Sequence, residues 1–69
     1  MSGREVEGLV EAALPSELYR VSLASGTRIT ASLSSMAKQT TVRVKPGDRV
    51  IVEISDRDPT RGKIKSRLS

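Results

Sequence analysis

The chain has 69 residues, no cysteine, no histidine and one aromatic side chain, Tyr19, and its twelve Lys and Arg outnumber eight Asp and Glu for a net charge of +4. A domain this short buries only about 60% of the surface its unfolded form exposes, and without Cys or His it has no disulfide staple and lacks the usual ligands of a structural zinc site. Folding must therefore rest on packing of 7 Val, 4 Ile and 6 Leu, a core of the size that supports roughly 3–5 kcal/mol.

A first strand is expected over roughly 6–14, where Gly8 suggests a bulge or a sharp barrel bend and Pro15-Ser16 a stop. In LYRVSLA, 18–24, Tyr19, Val21 and Leu23 share one face and Leu18, Arg20 and Ser22 the other, which is the period of two of a half-buried strand. TRITASL, 27–33, repeats it with Ile29, Ala31 and Leu33 inward, and Ser25-Gly26 between the two runs is a two-residue hairpin signal. SSMAKQ, 34–39, alone resists a strand reading; Ser34 is a candidate cap for a short helix there. TVRVK, 41–45, is extended, and Pro46-Gly47-Asp48 is the turn into DRVIVEI, 48–54, with Val50, Val52 and Ile54 inward. The last strand, 61–67, carries a positive charge at every second residue: Arg61, Lys63, Lys65 and Arg67.

Five short strands, with one helical segment between the third and fourth, describe an all-β protein with the five-stranded, partly open barrel called the OB-fold. An SH3-like barrel has the same strand count, and the position of the helix favours the former. One domain over 1–69, with short flexible termini, is expected. No apolar run approaches the ~20 residues of a membrane span, and MSGREVEG lacks the apolar stretch of a signal peptide. A monomeric cytoplasmic protein, away from membranes, is the expectation.

The charge is unevenly placed. Residues 1–34 hold three bases and four acids, whereas 35–69 hold nine bases and four acids, so a polyanionic partner would meet the second half. Charges on the final strand could simply deter edge-to-edge association. Four of one sign in seven residues repel one another, however, and need a compensating benefit. Alternate strand residues stand about 6.6–6.8 Å apart, comparable to phosphate spacing along a nucleic-acid strand, so a cationic face can follow a backbone. Barrels that take unpaired bases stack them on several aromatics, and Tyr19 falls on the apolar face, so structured RNA read by backbone and shape is the better match.

Catalysis is not expected: no His or Cys is present for acid-base or nucleophilic work, and Asp56 and Asp58 belong to a Pro-containing turn. No cofactor or metal is called for.

The segments LP-x-x-x-YRV-x-L-x-x-G at 14–26, A-x-L-S at 31–34, VRV-x-x-GD-x-V-x-VEI at 42–54 and D-x-x-x-GKI at 58–64, in this order and spacing, resemble bacterial translation initiation factor one over nearly the whole chain. The resemblance implies an S1-like OB-fold that binds the small ribosomal subunit and its RNA at the A site and assists initiation factors two and three. Carried over, the family's RNA contacts point to Lys38, Arg43, Arg61, Lys63 and Arg67, while Lys45 and Lys65 are added by the charge pattern alone. The chain departs from the family at Ser32, where His is usual, at Thr41 and Arg57, where Tyr is usual, and in Ser35-Met36-Ala37-Lys38, which stands for a more basic loop and allows a diverged paralogue. The alternatives are a cold-shock-type RNA chaperone, against which the lack of exposed aromatics argues, and a basic module that docks an acidic protein.

Overall fold

In the computed structural model, which describes residues 4–34 and 43–68, five strands follow one another: β1 (Glu5–Leu14), β2 (Leu18–Leu23), β3 (Arg28–Leu33), β4 (Arg49–Ile54) and β5 (Arg61–Arg67). They close into a barrel in the order β1-β2-β3-β5-β4. β5 runs parallel to β3 and antiparallel to β4, and closure removes the free sheet edges that a flat five-stranded sheet would leave. The expected helical segment at 34–39 lies, apart from Ser34, outside the described residues. Among those residues, no helix is long and apolar enough to cross a membrane.

Alternation decides what fills the barrel. Val10, Val21, Ile29, Ala31, Val50, Val52, Ile54 and Ile64 form the buried core, with Val6, Tyr19, Leu23, Leu33 and Val44 packed around it. Each inward residue predicted on the second, third and fourth strands is in this set. Tyr19 lies opposite Ala31 and is half-buried, so its ring serves the core.

β1 is long because it serves two neighbours. Residues 5–9 pair with β4, and residues 8–14 pair with β2. At the overlap, a Cβ on Gly8 would run into the Val21 side chain, so the glycine is there for close approach. The bulge is not at Gly8, as its sequence position suggested, but at Glu11, where the pairing slips between Val10 and Ala12. The β2–β3 hairpin also differs from expectation. Leu23 N–H donates to the Thr27 carbonyl (2.8 Å) and Gly26 N–H to the Leu23 carbonyl (2.9 Å), which closes a three-residue loop with Gly26 at φ 89. A type I turn followed by a left-handed glycine joins strands this way. Between β1 and β2 is a single 3-10 turn, Pro15–Glu17, in which Ser16 (φ 64) and Glu17 (φ 60) are both left-handed.

Candidate nucleic-acid interface

The outer surface of the barrel is built from rows set by register. Arg20 on β2 lies beside Thr30 on β3, which lies beside Arg61 at the start of β5; in the next row Leu18, Ser32, Lys63 and Glu53 follow one another. Together with the β4–β5 loop, these rows enclose an open cleft of about 650 Å³ with Leu18, Thr30 and Ser32 on its floor and Arg57, Arg61 and Lys63 among its walls. Leu18 is half-buried, and the floor hydroxyls offer both donors and acceptors.

Short-range hydrogen bonds hold the loop in place. Ser55 Oγ accepts from the N–H groups of Arg57 (3.2 Å) and Asp58 (3.3 Å), and Asp58 Oδ1 accepts from Thr60 N–H (3.0 Å) and Thr60 Oγ1 (2.6 Å). These Thr60 hydrogen bonds, the hydroxyl's first, hold the Asp58 carboxyl below its ordinary pKa, with the Arg61 charge a smaller aid. Thr30 N–H donates to the Thr60 carbonyl and Arg61 N–H to that of Asp58, both at 2.9 Å. The DPT segment is thus a side-chain-capped turn that fixes where Arg57 and Arg61 leave the backbone.

The predicted cationic face of β5 does not continue unbroken. Lys63 opposes Glu53 and Ile64 opposes Val52, but Ser66 opposes Ile51 and Arg67 opposes Val50. One extra residue, Lys65, is accommodated in this slip, and a bulge of this kind reverses the alternation beyond it. Arg67 therefore stands on the same side of the sheet as the buried Val50, at the barrel end, and not in line with Arg61 and Lys63. Lys65 Nζ sits 3.4 Å from Glu53 Oε1, a carboxylate 18% exposed. Arg67 is 3.8 Å from Asp48 Oδ2, a side chain 7% exposed.

Asp48 ends the turn that opens β4. Pro46 and Gly47 occupy its middle, with Gly47 at φ 97, and Asp48 N–H donates to the Lys45 carbonyl (3.1 Å). The carboxylate answers by accepting from Lys45 N–H (3.0 Å), and the Asp48 carbonyl accepts from Val10 N–H (2.9 Å). Arg43 and Lys45 are exposed at this end.

Of the seven residues singled out from sequence, Arg61 and Lys63 meet at the cleft, Arg43 and Lys45 flank the opposite end of β5, Lys65 and Arg67 face carboxylates, and Lys38 lies outside the described residues. Arg57 and Arg20 were missed. Arg20 was visible as the outward partner of Tyr19 and Val21 in the alternation. Arg57 was visible as a cation in the loop after the fourth strand, which in this barrel type flanks the ligand face together with the loop after the first.

A five-stranded OB barrel with a basic cleft across its second and third strands and the loop before its fifth defines a nucleic-acid-binding protein. The family model described as translation initiation factor 1A / IF-1 matches residues 2–69. The chain is similar to translation initiation factor one of the Wolbachia endosymbiont strain TRS of Brugia malayi, whose solution structure it fits with a TM-score of 0.80 at 40% identity, covering 96% of this chain and 78% of that one. This chain belongs to the translation initiation factor 1A / IF-1 family, and is an RNA-binding initiation factor of protein biosynthesis.

Proposed function

We propose that the chain binds the small ribosomal subunit at the A site, holding ribosomal RNA by its phosphates while the other initiation factors, two and three, act. Five exposed cations carry the contact: Arg57, Arg61 and Lys63 around the cleft, and Arg43 and Lys45 at the far end of β5. Lys38, in the loop that the family uses for RNA, adds a sixth. The cleft is the observation that carries this reading, because it brings three cations onto one OB ligand face with no exposed ring to stack bases. Recognition by backbone and shape follows, and the protein acts as a cytoplasmic monomer without a chemical step.

Co-sedimentation with purified small ribosomal subunits, in competition with an unrelated structured RNA, tests it. Retention on the subunit against a molar excess of competitor supports a ribosomal site. Equal displacement by any structured RNA would return the chain to the class of general RNA-binding barrels.

A further inference from the structure

Arg67 and Arg61 end and begin the same strand, and each has a carboxylate within ion-pair distance. Arg67 differs in three respects. The Lys65 bulge turns it to the core side of the sheet, opposite Val50. Its partner Asp48 is almost closed to water, whereas Asp58, the partner of Arg61, is 47% exposed. Finally, Asp48 Oδ2 receives Lys45 N–H as well as facing Arg67, so the carboxylate is fixed by the turn and cannot follow Arg67 outward.

We infer that Asp48 is a positioning residue that withholds Arg67 from RNA and so sets the boundary of the contact surface along β5, leaving Arg61 and Lys63 as its working cations. The inference rests on the RNA-binding reading above. A phosphate drawing Arg67 away would leave the buried carboxylate with one neutral donor, while gaining a contact at a solvent-exposed tip where salt screens it. Glu53 treats Lys65 the same way, more weakly, since that carboxylate retains more water.

The test is the salt dependence of binding to purified small ribosomal subunits at fixed magnesium, read as the slope of log K against log salt. Lys63→Gln should make the slope shallower by roughly 0.7–0.9, one phosphate contact. Arg67→Gln should lower the melting temperature and leave the slope as in the unaltered protein. Asp48→Asn should steepen it by about one contact, because Arg67 is released; Glu5→Gln, which removes an exposed charge on β1, should not, and adding Arg67→Gln to Asp48→Asn should restore the original value. A purely structural role for Asp48 would move the melting temperature alone, and would overturn the inference. Equal slopes for Lys63→Gln and Arg67→Gln would also overturn it, and that comparison decides even if Asp48→Asn fails to fold. A flat slope for the unaltered protein would instead remove the RNA-binding reading itself.

Discussion

The two ends of β5 carry the same residue type at almost the same distance from an acid: Arg61 is 3.7 Å from Asp58, and Arg67 is 3.8 Å from Asp48. Their availability is opposite. At the first end, both partners keep contact with water, with side chains 68% and 47% exposed, and such pairs exchange readily for another anion. At the second, the acid has given up its hydration, and depriving it of a partner costs about 1–3 kcal/mol. Separation alone therefore does not tell which cation is free for a ligand; the hydration of its counter-ion does.

The sharpest way to expose this difference is charge reversal at each end. Arg61→Glu combined with Lys63→Glu should weaken binding to small ribosomal subunits on the order of 100-fold at low salt, by removing two phosphate contacts and adding repulsion, with the melting temperature nearly unchanged. Arg67→Glu should do the reverse. It sets two carboxylates against each other beside a buried site, and should cost about 2–3 kcal/mol of folding stability, read by denaturant titration, while the folded fraction binds almost normally.

Gly62→Ala joins the two effects, because this residue lies between Arg61 and Lys63 and faces inward. A Cβ there would stand 2.8 Å from the Glu53 carbonyl oxygen and 2.8 Å from Val52 Cγ1. The β4–β5 pair must shift to admit it, at a cost of about 1–3 kcal/mol, and both cations should be displaced, so that stability and subunit binding fall together.

The smallest expected effect concerns the loop that sets Arg57 and Arg61. The folded-state pKa of Asp58 is lowered, so its contribution to stability is present above the unfolded value of about 3.9 and is lost as pH falls through the lowered folded value. Carboxyl NMR titration should find its midpoint below the ordinary range. Thr60→Val removes the largest cause and should bring the midpoint up, with at most a several-fold loss of binding.

Much of the barrel was legible because half-buried strands print their alternation directly. Val50, Val52 and Ile54 face inward as their spacing says, and Gly26 and Gly47 sit at turns that need positive φ. What was not legible is register. The bulges at Glu11 and Lys65 arise from how two strands meet, and no residue within RGKIKSR marks the slip. For that reason Lys65 and Arg67 looked equivalent to Arg61 and Lys63. The acids that distinguish them, Glu53 and Asp48, are twelve and nineteen residues away in the chain and adjacent only after closure. The cleft was partly legible: Arg61 and Lys63 stood out by charge, whereas Arg57 looked like an ordinary turn residue until its loop was seen beside β3.

The most direct measurement of the central claim, that exposed cations on this barrel hold RNA by its phosphates, is the salt dependence of the unaltered protein's binding to small ribosomal subunits. With five phosphates neutralised, a fourfold rise in salt should weaken binding roughly 100- to 500-fold. A binding constant that barely changes over that range would mean that the barrel docks through apolar or protein contacts, and would contradict the account.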